Sequence, residues 1–293
     1  REIGYYGNHL AASLSSKRSD LIGVVVPSLT NIVFPQVMSG VTAALERTGF
    51  QPVFGVTDYD PDKENEILRN MLSWRPGGLI VTGLDQPEET RDLLANADVP
   101  LVQIMDSDGE PIDSCVGFSH AKSGHDMAAA IWASGRRRIA YAGCNIAKDT
   151  RAQKRRAGFL SALNTHDAGF VAERTVDGLS SVAIGRRLAQ DLIETHAEID
   201  CIYFSNDDLA MGGLSYCIDA QIDVPRALVL VGFNGLEILD AFPGMVVTSR
   251  TSRQEIGETA ARLILSSLKT ALPREPVTTL IEPEIILGAL NSE

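Results

Sequence analysis

The sequence predicts an α/β protein of two doubly wound, Rossmann-like lobes joined by three crossovers. Three observations carry this: apolar runs of strand length, amphipathic helical stretches between them, and a restart of that alternation midway along the chain. LIGVVVP (21–27), QPVFGVT (51–57), GGLIVTG (77–83) and VPLVQIM (99–105) are apolar at nearly every position, as in strands covered on both faces of a parallel sheet. Between the first two lies FPQVMSGVTAALERTG (34–49), with Val37, Val41, Ala44 and Leu45 on one stripe and Gly49 as a stop. ENEILRNMLSW (64–74) follows as a second helix.

The restart begins at RRIAYAGC (137–144) and continues through DTRAQKRRAGFLSALNT (149–165), DCIYFSNDDLAMGGLSYCIDA (200–220) and LVLVGFNG (228–235). MVVTSRTSRQEIGETAARLILSSLK (245–269) reads as strand, connector and helix, and PVTTLIEPEIILG (276–288) as one further strand. If that helix returns to the first lobe and the last strand to the second, the chain crosses three times. The expected lobes are then 20–119 with 251–275 and 120–250 with 276–293, the change falling near 118–122. Ligands of open α/β sheets sit at the carboxyl ends of strands, so the loops after residues 27, 57, 83, 105, 143, 205 and 232 are expected to face a central cleft.

Composition limits the function. The chain has 293 residues, 44% of them hydrophobic, enough for two cores. Its net charge of −12, from 26 basic and 38 acidic residues, makes the bulk of the surface repel polyanions, so any nucleic-acid contact must be local. Cys115, Cys144, Cys201 and Cys217 are widely spaced and mostly in apolar runs, which reads as reduced core thiols of a cytoplasmic protein. No apolar run approaches the roughly 20 residues of a membrane span, and residues 1–20 lack a secretory leader, so no membrane partner is expected. The absence of an initiator methionine reads as a fragment of something longer.

Catalysis finds no support. GxSxG, GxxxxGK[ST] and GxGxxG motifs are missing, and His9, His120, His125, His166 and His196 have no zinc-protease spacing, so neither a catalytic residue, a metal nor a cofactor is expected. The opening stretch YYGNHLAASLSSKRSDLIGVVVPSL (5–29) offers a helix of about two turns, His9 to Ser16, capped by Asn8 and carrying Leu10, Ala11 and Leu14 on one side. A helix that short is marginal in water and forms when a partner completes it; otherwise it frays.

NHLAASLSSKRSDLIGVVVPSLTNIVFPQVMSGV, the Arg-x-x-Gly-aromatic element RRAGF (155–159) and YFSNDDLAMGGL with VPRALVLVGFNG together resemble the LacI family of bacterial transcription regulators over essentially the whole chain. DSCVGFSH (113–120) resembles the gluconate-operon repressors of that family. The resemblance implies a periplasmic-binding-protein-like core that binds a small sugar or sugar acid, works as a homodimer and controls operator DNA. It makes 1–19 a hinge and linker from a preceding helix-turn-helix domain. Asn8, Ala11, Leu14, Lys17 and Arg18 then face DNA, Leu14 as the wedge in the minor groove and Lys17 and Arg18 near phosphates. The helices at 34–49 and 64–74 become candidate dimer surfaces. The alternative is a periplasmic-type sugar-binding protein without DNA control.

The resemblance also proposes effector contacts. Arg155 is expected to fork onto a carboxylate or hydroxyl pair, or else to be a solvated member of the run RAQKRR. Asn206 and Asp207 either reach the ligand, hold the neighbouring loop or cap their helix. Asn234 stands where many relatives carry aspartate; the neutral amide favours an acidic effector of the gluconate class, or simply makes a turn beside glycine. Ser28, Val33 and Phe34 follow the first strand, Phe34 either stacking on a sugar face or filling core. Asp106, and more weakly Asp58, can accept hydroxyl hydrogens; Arg250 can neutralise either, and His120 lies near the lobe boundary.

Overall fold

The computed structural model describes residues 18–165, 169–269 and 276–288. In chain order the first part runs β1 (Leu21–Val26), α1 (Val33–Leu45), β2 (Gln51–Val56), α2 (Pro61–Ser73), β3 (Gly78–Thr82), α3 (Glu88–Ala95), β4 (Leu101–Ile104) and β5 (Ser114–Gly117). Then come α4 (His120–Ala133), β6 (Arg138–Cys144), α5 (Thr150–Thr165), β7 (Gly169–Val176), α6 (Val182–Thr195), β8 (Cys201–Phe204), α7 (Asp207–Asp219) and β9 (Val229–Val231). A 3-10 turn (Glu237–Ala241), β10 (Val246–Arg250), α8 (Arg253–Lys269), β11 (Thr278–Leu280) and β12 (Glu284–Ile286) complete it. The chain divides into two compact units, one of residues to Gly117 with Arg253–Thr279, the other Phe118–Ser252 with the residues from Leu280.

Each unit is built on a six-stranded sheet, ordered β11-β5-β4-β3-β1-β2 in the first and β12-β10-β9-β8-β6-β7 in the second. Their parallel parts share one doubly wound order, the chain starting at an inner strand, stepping outward once and then filling the other side. The switch point therefore lies between β1 and β3 in one unit and between β6 and β8 in the other, where such sheets open a crevice for ligands.

The strands obey their composition. Four of the five residues of β10 and every residue of β3, β4, β8 and β9 are buried. In the second unit Ala140, Ala142, Ile202, Phe204 and Leu230 pack on one side against Leu188, Leu192, Leu209 and Leu214. Their alternates Ile139, Tyr141, Cys201, Tyr203, Val229 and Val231 pack on the other against Met127, Ile131 and Phe159, the period of two expected of strands covered twice. The helices start where a side chain can cap them. The Asp60 carboxylate accepts from the amides of Asp62 and Lys63 ahead of Pro61, so α2 begins before the expected residue 64. Ser119, Ser181 and Asn206 cap α4, α6 and α7 in the same way.

Two glycines join α4 to α5 at the level of the backbone. A Cβ on Gly124 would lie 1.9 Å from the carbonyl oxygen of Arg155, and one on Gly158 would lie 2.0 Å from that of Ala121. Gly40 with Gly257 does the same for α1 and α8, and Gly185 with Gly212 for α6 and α7.

The segment 276–288, expected as one strand of the second lobe, is two strands. Val277 donates from its amide to Ser114 Oγ and accepts from the Cys115 amide, so β11 extends the first sheet. Only β12, beyond Pro283, joins the second sheet, antiparallel to β10 with Arg250 opposite Glu284. The four cysteines are free and buried; burial pushes the thiols of Cys115, Cys144 and Cys217 up to about 11. Among the described residues no helix is long and apolar enough to cross a membrane.

Candidate functional site

Both sheets bring their candidate residues to the carboxyl ends of their parallel strands. In the first unit Ser28 follows β1 and is buried; its hydroxyl pairs with Thr30 Oγ1 at 3.1 Å and accepts from the amides of Thr30 and Asn31. Asn31 Oδ1 in turn accepts from the Val33 amide, starting α1. Val33 and Phe34 are 4% and 3% exposed, so in this structure their side chains fill interior space. Asp106 follows β4, is fully buried, and accepts from the Asp108 amide through Oδ1 at 2.9 Å. Asp58, by contrast, is exposed and pairs with Lys63.

The second unit holds the more specific arrangement. Arg155, in the second turn of α5, is 7% exposed, which separates it from its neighbours in the basic run. Arg156 forks onto Glu173 and Arg151 lies near Asp149. The Arg155 guanidinium instead donates from Nη2 to the Ser205 carbonyl at 2.9 Å and sits 3.9 Å above the Phe233 ring. Its Nη1 lies 2.9 Å from His120 Nδ1. A guanidinium only donates, so Nδ1 is the acceptor and the imidazole proton resides on Nε2. His120 is 2% exposed, with Phe118 at 4.6 Å and Phe233 at 6.0 Å between ring centroids. Burial pushes the Tyr203 phenol behind this cluster up to about 12, the Arg155 charge opposing it.

Asn206 and Asp207 divide the roles open to them. Asn206 Oδ1 accepts from the Leu209 amide and caps α7. Asp207 is fully buried; Oδ1 accepts from Thr248 Oγ1 and Oδ2 from the Leu236 amide, both at 2.8 Å. Thr248 Oγ1 accepts in turn from the Gly235 amide at 3.1 Å. In this structure the carboxylate thus holds the loop after β9, and with it Asn234, whose φ of 116° is a conformation side chains rarely adopt. Asn234 is further pinned by Ser249 O and the Thr251 amide. Arg250, half-exposed, pairs with Asp240 at 3.2 Å.

An Asp207→Asn variant should therefore lose about 2 kcal/mol of stability, because its NH2 group would either face the Leu236 amide donor to donor or leave the Thr248 hydroxyl proton without its acceptor. Urea unfolding measures this; a change within about 0.5 kcal/mol would mean the carboxylate does not hold the loop.

Of the DNA-facing set, Asn8, Ala11, Leu14 and Lys17 lie outside the described residues. Arg18 is described and donates to the carbonyl of Asp98 at 2.7 Å. Sequence reasoning missed Ser205, Phe233 and Thr248: one acts through its carbonyl, one through a ring face, and the third sits inside a strand. Among the described residues no group of His, Cys, Asp and Glu could hold a metal ion.

Comparison with known proteins adds the family. Residues 19–282 match the family described as periplasmic binding proteins and sugar binding domain of LacI family. The chain is 35% identical over 269 residues to the transcriptional regulator GntR of Pseudomonas aeruginosa, covering 91% of this chain and 77% of that protein. It is 30% identical over 269 residues to IdnR of Escherichia coli, covering 92% and 80%. The crystal structure of a LacI-family regulator from Silicibacter pomeroyi superposes with a TM-score of 0.91 at 42% identity, covering 97% of this chain and 86% of that one. Two doubly wound units, candidate residues at their strand ends and these relatives give one conclusion: the chain belongs to the LacI family of transcriptional regulators, as the effector-binding region of a regulator and not an enzyme.

Proposed function

We propose that the chain senses a sugar acid of the gluconate class and thereby controls operator binding by a homodimeric, cytoplasmic repressor. The observation that carries this reading is Arg155, a buried guanidinium at a strand-end crevice, whose donors suit a carboxylate. Asn234 supports it, because an amide places no negative charge against an acidic ligand. The stretch DSCVGFSH (113–120), with its resemblance to gluconate-operon repressors, supports the same class. Asn206, Asn234 and Arg250 complete the proposed contacts in the second unit, Asp207 acting through the loop it holds; in the first unit Ser28 and Asp106 are the proposed contacts, Val33 and Phe34 acting through the helix start that they anchor in the core.

Control follows from linkage. The effector changes DNA affinity only by its differential affinity for the DNA-competent and incompetent states. Residues 1–19 would carry that state to DNA, with Asn8, Ala11, Leu14, Lys17 and Arg18 at the hinge. The outer side of α1, where Pro35, Met38, Thr42 and the exposed Leu29 line a shallow cavity, is the proposed meeting surface of two copies, together with α2.

Isothermal calorimetry with gluconate, glucitol, glucose and a purine tests the reading. Glucitol carries a hydroxymethyl group where gluconate has its carboxylate. Binding of gluconate with at least tenfold preference over glucitol is expected, a difference of about 1.4 kcal/mol. Binding of only the neutral sugars or the purine would overturn the acidic effector.

A further inference from the structure

We infer that His120 is the residue that makes Arg155 selective for an acid, by holding the guanidinium in place without cancelling its charge. The inference rests on the effector reading above and adds a residue to it. The guanidinium is fixed in three ways: Nη1 by His120 Nδ1, Nη2 by the Ser205 carbonyl, and its face by Phe233. All three partners are uncharged. A guanidinium has more N–H donors than two acceptors use, so it can still fork onto a ligand. A carboxylate in place of His120 would fix the arginine equally well and neutralise it; a neutral imidazole leaves the positive charge to the effector.

The fold sets His120 up for this. Ser119 caps α4 by accepting from the Lys122 amide, which makes His120 the first helical residue. The Gly124 and Gly158 contacts hold α4 and α5 at backbone distance, so the imidazole spans to Arg155. Phe118 and Phe233 fix the ring. The acceptor state of Nδ1 is then required by the arginine, and an imidazolium there would set two cations side by side.

The test compares three variants in the full chain by calorimetry with gluconate and glucitol. His120→Asn supplies a neutral acceptor, Oδ1, close to the position of Nδ1; His120→Asp supplies a charged one; His120→Leu supplies none. The gluconate-to-glucitol preference of His120→Asn is expected to stay within about threefold of wild type, while that of His120→Asp falls by about 100-fold. His120→Leu should bind both ligands more weakly. Equal preferences for the Asn and Asp variants would overturn the inference, since a merely structural role does not distinguish them.

A second readout needs no effector. In long-range 1H–15N spectra of the ligand-free protein at pH 7.5, His120 should be the neutral Nε2–H form, and its Nδ1 signal should move in Arg155→Met. A protonated Nδ1 would overturn the inference. A wild type that prefers glucitol would instead remove the acidic effector and leave the His120 to Arg155 contact to be judged by this spectrum.

Discussion

Replacing Arg155 with methionine is expected to lower affinity for a sugar-acid effector by about 100-fold while costing the fold about 1–3 kcal/mol. Methionine keeps an unbranched apolar stem of similar reach and can still lie against Phe233. It cannot donate, so the Ser205 carbonyl and His120 Nδ1 lose a buried partner, which sets the stability cost. The affinity loss is the larger effect because a ligand carboxylate would enter a low-dielectric site with no cation to meet it. Calorimetry with gluconate and glucitol, alongside urea unfolding, separates the two. A drop that is the same for both ligands would make the arginine a structural element.

The largest expected effect on stability is at the glycine contacts. Gly158→Val and Gly124→Ala should each destabilise the second unit by about 3 kcal/mol, the upper part of the range for overpacking. The obstacle in each case is a peptide carbonyl, not the movable end of a side chain: 2.0 Å from Ala121 O for Gly158 and 1.9 Å from Arg155 O for Gly124. The helices must therefore separate. Gly49→Ala is the comparison, since Gly49 has φ of 87° but nothing within 4 Å of an added Cβ, and only about 1 kcal/mol of backbone strain is expected. Denaturant unfolding of the three variants decides it; equal losses would mean that the helix contact yields.

How far the sequence carried depended on the range of the physics involved. Buried parallel strands are apolar throughout, so β1, β3, β6 and β8 stand out without any tertiary information. The last segment does not, because two strands of three residues separated only by residues 281–283 read as one strand, and their sheets are chosen by long-range pairing. Arg155 is marked by its spacing to Gly158 and Phe159. Its burial is not, since Arg151, Arg155 and Arg156 of one basic run meet three different partners. The loop-holding contacts of Asp207 run to a hydroxyl at position 248 and a peptide amide at position 236, and neither announces itself in a string of letters. Phe34 shows the same limit: an aromatic at a helix start reads identically whether it fills a core or faces a ligand.

The glycine pairs carry a mechanical consequence. A side chain between two helices can change rotamer and absorb a small displacement; two peptide backbones in contact have no such slack. The chain enters the second unit at Phe118 and starts α4 two residues later, and α4 is fused in this way to the helix bearing Arg155. It re-enters the first unit at Arg253, at the start of α8, which is fused to the helix that begins with Val33 and Phe34. Two of the three crossings therefore lead straight into a helix held at backbone distance to the one that carries strand-end residues of its own unit. Side chains at the strand end can then be exchanged for new ligand chemistry while the helix pair behind them keeps its geometry.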